Sequence, residues 1–410
     1  MTGALEGVKV VEMTSVVLGP FACQMLGDLG ADVIKIEPIA GDTNRSLGPY
    51  RTTPTMPSMY MGCNRNKRSV ALDLKSQRGK AAAISIIEEA DVLVHNFRPD
   101  AIARLGLNYE EVKKVNPEII FCGTYGYAKN GQYGQKGALD DSIQAASGIA
   151  MLQAYTGGDP RYVPTIIADK TTAFYVVQSV LAALFHRLKT GEGQEIEVPM
   201  FESMVAFVMT EHLWGQSFEP PLGPPGYVRL MAEHRRPYRT KDGLYLALLP
   251  YWDNHWRTFC EVAGRPELAD DPRFSSMKLR LENINESYRV TGELVEQKTR
   301  AEWLELLGDS NVPMMVVNDL IDLISDPHLQ DTDFWQTRSH PSEGEIRMPS
   351  PPMNLSKSPA KISRLPPHLG EHTVEVLQEI GLGSTEIDEM LADGNAKRPE
   401  PLDTAVGVES

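Results

Sequence analysis

Residues 7–37 read GVKVVEMTSVVLGPFACQMLGDLGADVIKIE, and this stretch decides the fold. Gly7–Met13 is short and rich in β-branched residues, the composition of a strand. Gly19-Pro20 then punctuates the chain, and apolar residues from Phe21 to Leu29 recur at helical spacing. Gly30-Ala31-Asp32 ends that helix, and Val33–Glu37 resumes as a second strand. A strand, a helix and a strand in so short a span make a βαβ unit, the start of a parallel, doubly wound sheet.

The pattern continues outward. Strands are expected at Arg68–Leu74, Val92–Val94, Ile119–Phe121 and Gln194–Val198, and helices at Gly79–Glu89 and Thr171–Leu188. The run EPPLGPPG (219–226) shifts composition and reads as a linker. Beyond it, the turn YRTKDG (238–243) feeds an apolar run at 244–249, and helical patterns follow to about Ile324. The expected architecture is therefore α/β: a large domain at 1–218, completed by a return segment at 331–396, and a smaller α+β domain at 227–330. The Pro- and Ser-rich stretch Met348–Lys361 is expected as extended chain leading to a final helix at about Glu371–Ile380, with a loose tail at 397–410.

Composition narrows the function classes. The chain has 410 residues, 42% hydrophobic, enough for an ordinary core. A net charge of −15 argues against a nucleic-acid partner, although a local basic pocket can still hold an anionic ligand. The four cysteines, at 23, 63, 122 and 260, are dispersed with no CxxC pair, which fits buried thiols in a reducing compartment rather than a metal or disulfide framework. The N-terminus lacks a basic region followed by an apolar run, and no apolar stretch approaches ~18 residues. No membrane role and a cytoplasmic location are the expectations that follow.

The first Gly-bearing turn is not GxGxxG, so the dinucleotide fingerprint is absent despite the βαβ pattern. Instead, GPFACQMLGDLGADVIKIE (19–37) resembles the opening motif of the class III CoA-transferases. That family groups formyl-CoA and carnitine CoA-transferases with the α-methylacyl-CoA racemases. NRNKRSVALDLK (64–75), DVLVHNFRPDAIARLGL (91–107), IADKTTA (167–173), KTGEGQEIEVPMFES (189–203) and LGEHTVEVLQEIGL (369–382) are similar to further motifs of the same family, in the same order. The resemblance implies a Rossmann-like large domain, acyl-CoA and carboxylic acid substrates, no metal or redox cofactor, and an interlocked homodimer in which each chain threads the other. It also implies CoA contacts at Val16, Val17, Leu72, Lys75, Asn96, Phe97 and Arg104. One departure is Pro38, where relatives often carry an arginine.

The bare residues agree with a CoA site. Its phosphates call for cations, and Arg65, Lys67, Arg68 and Lys75 form one basic cluster, Arg98 and Arg104 a second. Ordinary solvated surface charges are the competing account.

Asp169, between an apolar run and a helix, reads first as an N-cap. The resemblance places it where the transferases keep a nucleophilic aspartate, and a helix N-terminus would hold such a carboxylate ionised. Asp140 and Gln144 match positions that line the family's active site, though Asp140 also reads as a cap for its own helix. The racemases carry a His–Asp pair in a motif like GHDxxYxxxSG. Here ALDDSIQAASG (138–148) puts Leu139 where that histidine stands, and leucine cannot move a proton. Transfer of CoA between acids is the favoured expectation. A racemase-type isomerase and a CoA-binding protein without catalysis are the alternatives.

Overall fold

The computed structural model describes residues 2–399. Its opening unit is β1 (Lys9–Met13), the helix Leu18–Asp28 and β2 (Asp32–Glu37). Gly19 is required where that helix begins: a Cβ there would lie 2.3 Å from the Thr14 side chain. Gly30 ends the helix with φ +106°, a conformation that side chains resist. Then come β3 (Lys67–Leu72), β4 (Val92–His95), β5 (Ile120–Tyr125) and β6 (Gln194–Pro199).

These strands form a seven-stranded sheet with β12 (Ala396–Lys397), in the order β12-β3-β2-β1-β4-β5-β6. β1 to β6 run parallel, with Val10 opposite Val33 on one side and Val92 on the other. β12 is antiparallel to β3, pairing Ala396 with Leu72. The sheet has the doubly wound order, in which the chain reverses direction between β1 and β4.

Alternate residues face opposite sides. Val11, Ile34, Val70, Leu93 and Phe121 pack with Ala82, Ile86, Val376 and Leu377 in one apolar core. The residues between them, Glu12, Lys35 and Lys67, are buried on the other side and meet as ion pairs.

Two compact units are present. One runs through Ser147 and takes Pro164–Val205 and the described residues from His328; the other comprises Gly148–Val163 and Ala206–Pro327. The first unit thus includes both early and late sequence. Relative to the expected bounds, 148–163 and 206–218 belong with the second unit, as does the Pro-rich run at 219–226. That unit holds an antiparallel sheet of β7 (Tyr238–Arg239), β8 (Tyr245–Leu248) and β9 (Met314–Val316). Its core is aromatic: Trp256 and Trp303 are buried, and their indole N–H groups donate to the carbonyls of Leu268 (3.1 Å) and Val295 (2.8 Å).

Late in the chain, β10 (Trp335–His340) and β11 (Gly344–Pro349) form a hairpin that periodicity did not reveal. Extended chain then leads to the helix Thr373–Glu379. Of the expected tail, Lys397 lies in β12, and residues 400–410 lie outside the described residues. Among the described residues, no helix is long and apolar enough to cross a membrane.

Candidate active site

In doubly wound sheets, ligands sit beyond the carboxyl ends of the strands, where the strand order reverses. Here that point lies between β1 and β4, and a cleft of about 190 Å³ opens there. Ser15, Val16 and Leu18 line it after β1, Asn96 to Pro99 after β4, and Thr124 to Gly126 at the end of β5. Asp169 completes the lining together with Met200 and the segment Gly134–Leu139.

The loop after β1 is held on several sides. The Asn96 side chain accepts from Ser15 N (3.2 Å) and donates to Ser15 O (3.0 Å). Lys35 Nζ donates to Thr14 O at 2.9 Å. Val16 has φ 70°, a genuine outlier for a β-branched residue.

Asp169 stands in the first turn of the helix Ile167–Thr190, whose N-cap, Ile166, offers no side-chain acceptor. The expected cap role therefore passes to another residue. Asp140 Oδ1, from the neighbouring helix Asp140–Ala146, accepts from the amides of Ala168 (2.7 Å) and Asp169 (3.1 Å). Asp140 thus does not cap its own helix. Its other oxygen, Oδ2, accepts from the buried Gln144 Nε2 at 2.6 Å. Asp140 and Gln144 are not among the residues that line this cleft; Asp140 meets Asp169 through the amides at the N-terminus of the Asp169 helix.

Freed from capping, the Asp169 carboxyl group faces the cleft while only 9% exposed. Burial pushes its pKa up to about 7, and the Asp140 charge adds to the rise; the Leu18 amide, which donates to it, works the other way. The helix terminus was expected to hold it ionised; desolvation and the like charge of Asp140 act in the opposite sense.

The sequence-predicted contacts divide. Val16, Asn96, Phe97 and Asp169 line one cleft. Val17 is buried beside it as the N-cap of the helix Leu18–Asp28. Leu72 ends β3 inside the core, whereas Lys75, just after β3, and Arg104, in the last turn of the helix Pro99–Leu105 that follows β4, are exposed, and none of the three lines the cleft.

The basic cluster at 65–68 dissolves. Arg65 grips Asp28 through two hydrogen bonds (2.9 and 2.7 Å), Lys67 pairs with Glu12 (2.7 Å), and Arg68 pairs with Asp32 (2.6 Å) and Glu379 (2.8 Å). Buried and satisfied, these cations tie the fold together. Leu139 lines the cleft, 72% exposed. His95 is fully buried against Phe121, and burial pushes its pKa down to about 3, so it stays neutral.

Sequence reading missed Asp42 and Asn44, both buried, which bind the Val16 backbone. Their signal was the polar turn Gly41–Asn44 shortly after β2, a place where an Asp side chain readily bonds backbone amides.

The family model described as CoA-transferase family III matches residues 5–373. Human succinyl-CoA:glutarate CoA-transferase is 32% identical over 92% of this chain and 86% of its own. Formyl-CoA:oxalate CoA-transferase from Streptomyces coelicolor is 33% identical over 95% of this chain and 98% of its own. A crystal structure of a CAIB/BAIF family protein from Brucella suis superimposes with a TM-score of 0.79 at 27% identity, covering 93% of this chain and all of that one. The chain belongs to the family III CoA-transferases and is an enzyme of that family.

Proposed function

We propose that this enzyme moves CoA from an acyl-CoA donor to a carboxylic acid acceptor, with Asp169 as the group that carries first the acyl residue and then CoA. The observation that carries this reading is the buried carboxyl group of Asp169 on the wall of a cleft at the sheet's switch point, a wall that Leu18 shares. Ionised Asp169 attacks the donor thioester, forming an aspartyl–acyl anhydride and expelling CoA thiolate. The thiolate attacks the Asp169 acyl carbon, releasing the donor acid and leaving an aspartyl-CoA thioester. The acceptor carboxylate attacks that thioester, giving a new anhydride and thiolate, and the thiolate then takes the acceptor's acyl group and frees Asp169. Covalent steps of this kind split one difficult transfer into easier ones. No metal or redox group is needed in the cycle.

Lys75 and Arg104, both exposed, suit the CoA phosphates, and Leu72, Val17 and Phe97 suit its apolar parts. The named relatives act on glutarate, oxalate and, in a Chloroflexus aurantiacus subunit, L-malate. They share a reaction class rather than one acid. A panel of CoA thioesters incubated with mono- and dicarboxylates, read by mass, tests the proposal. New acyl-CoA species are expected for at least one pair, and none across the panel would refute it. Run in deuterated water with a chiral 2-methylacyl-CoA, the same assay should show no α-deuterium, because Leu139 supplies no proton. Rapid exchange would favour the racemase reading.

Asp140→Asn keeps the oxygen that caps the Asp169 helix and removes the charge that helps hold the Asp169 pKa up. The acid limb of its kcat/KM profile should therefore move to lower pH. A limb that stays in place would mean that Asp140 exerts no electrostatic effect on the nucleophile.

We further propose the interlocked homodimer. In support, the helix Ile167–Thr190 carries Phe174 (58% exposed), Leu181, Phe185 (58%) and Leu188 (83%) on one stripe, an apolar face that suits a second copy. Light scattering at micromolar concentration should give twice the chain mass, and a monomer would exclude this assembly. Four free, buried thiols support a cytoplasmic location.

A further inference from the structure

The left-handed Val16 calls for a cause. A β-branched residue at positive φ persists only where its surroundings over-determine it, and such strain gathers at functional sites. Asp42 Oδ1 accepts from Val16 N (3.1 Å), and the Asn44 side-chain amide donates to Val16 O. The clamp is itself immobilised. Asp42 Oδ1 also accepts from Asn44 N (3.0 Å), its Oδ2 pairs with Lys35 Nζ (2.9 Å), and its own amide donates to Glu37 Oε2 (3.0 Å). Glu37 is in turn held by Arg45 through two bonds of 2.7 and 2.8 Å. All of these side chains are buried. Two residues after Val16, Leu18 lines the same cleft as Asp169, and its amide is the backbone group that draws the Asp169 pKa down.

We propose that Asp42 and Asn44 are positioning residues that hold Val16 left-handed and so aim the Leu18 amide at the Asp169 carboxyl oxygen. The inference rests on Asp169 as the nucleophile. When CoA thiolate attacks the Asp169 acyl carbon, a C–S bond forms and the carbonyl π pair moves to oxygen. The Leu18 N–H then faces the developing oxyanion, and collapse restores the carbonyl as the donor carboxylate leaves. A fixed donor of this kind is typically worth ~10²–10³-fold in rate. The clamp acts at one remove, through the backbone.

Asn44→Ala removes the donor to Val16 O and strands no donor of its own, since Asn44 Oδ1 accepts no hydrogen bond. Its kcat should fall by about 10–100-fold, with KM for acyl-CoA nearly unchanged. Val16→Gly in the same background should then recover most of the lost kcat, because glycine adopts positive φ without a clamp. A merely structural defect would not be repaired that way. Should Asn44→Ala fail to fold, Asn44→Ser, too short to reach Val16 O, carries the same expectations. An unimpaired kcat, or a double variant no faster than the single one, overturns the proposal. Asp169→Asn assayed in parallel separates the two layers. If it keeps transfer, the nucleophile reading fails; if it is inactive while Asn44→Ala is unimpaired, only the clamp fails.

Discussion

Asp169→Asn should lower kcat by on the order of a thousandfold or more, the scale seen when a covalent nucleophile is removed, while the protein folds normally. The side-chain amide keeps the shape but not the attacking oxygen. Asp169→Glu should fail badly too, since one methylene displaces the oxygen from near-attack geometry. Hydroxylamine added with acyl-CoA, but not without it, should convert Asp169 to a hydroxamate, read as a mass change on the tryptic peptide Tyr162–Lys170. A label at Asp140 or Asp141 instead would reassign the nucleophile.

The pH dependence follows from the same carboxyl group. With its pKa pushed up to about 7, Asp169 is neutral and inert in acid, so activity should rise as pH passes through that region. Folding is affected in the opposite sense. A carboxyl group whose folded pKa lies above its ordinary value of 3.8 costs stability once the unfolded chain ionises. That cost vanishes below the ordinary value, is small at pH 4 and grows until the folded group also ionises. Asp169→Asn should accordingly be more stable than the parent at pH 8, by on the order of 4 kcal/mol for a shift of this size, and by less than about 1 kcal/mol at pH 4. Equal melting at both values would show that the native carboxyl group carries no such burden.

The sheet was legible because its signal is local. In Lys9–Met13 and Asp32–Glu37, β-branched runs broken by glycine turns leave little choice of element, and the motif order extended that reading along the chain. The site was legible in part. Asp169 and the Asn96-Phe97 pair, read from motifs far apart in the chain, line one cleft. The capping arrangement was not legible. That Asp140 closes the N-terminus of a helix starting 27 residues later is a tertiary fact, with no periodicity to announce it. The basic run at 65–68 misled for a related reason. A sequence shows where cations cluster, but not that Asp28, Glu12 and Asp32 lie opposite them. The hairpin of β10 and β11 escaped because its strands, such as TRSH at 337–340, are polar and largely exposed.

Lys67→Met should be the most damaging single change to stability, costing about 3–5 kcal/mol, the range for breaking one partner out of a buried ion pair. Lys67 is fully buried, with its ammonium 2.7 Å from Glu12 Oε2, and it donates to Pro20 O and Asn64 Oδ1, each at 2.8 Å. Methionine fills the volume but strands all three acceptors. Burial alone would raise the Glu12 pKa, yet the charges of Lys35 and Lys67 bring it below the ordinary range. Glu12 therefore contributes stability that is present above that range and lost as pH falls through its folded pKa. With Lys67 gone, acid unfolding should begin at a higher pH. Glu12→Gln added to Lys67→Met should recover part of the loss, because no buried carboxylate is then left with a single cation, and such coupling is what a double-mutant cycle measures. A single variant within about 1 kcal/mol of the parent would show that the pair breaks even against an apolar side chain. The same cluster reaches the active site, since Lys35 joins Glu12 to Asp42 and to the Thr14 carbonyl. Loosening it should therefore slow turnover in the fraction of Lys67→Met that remains folded, through the loop that aims Leu18 at Asp169.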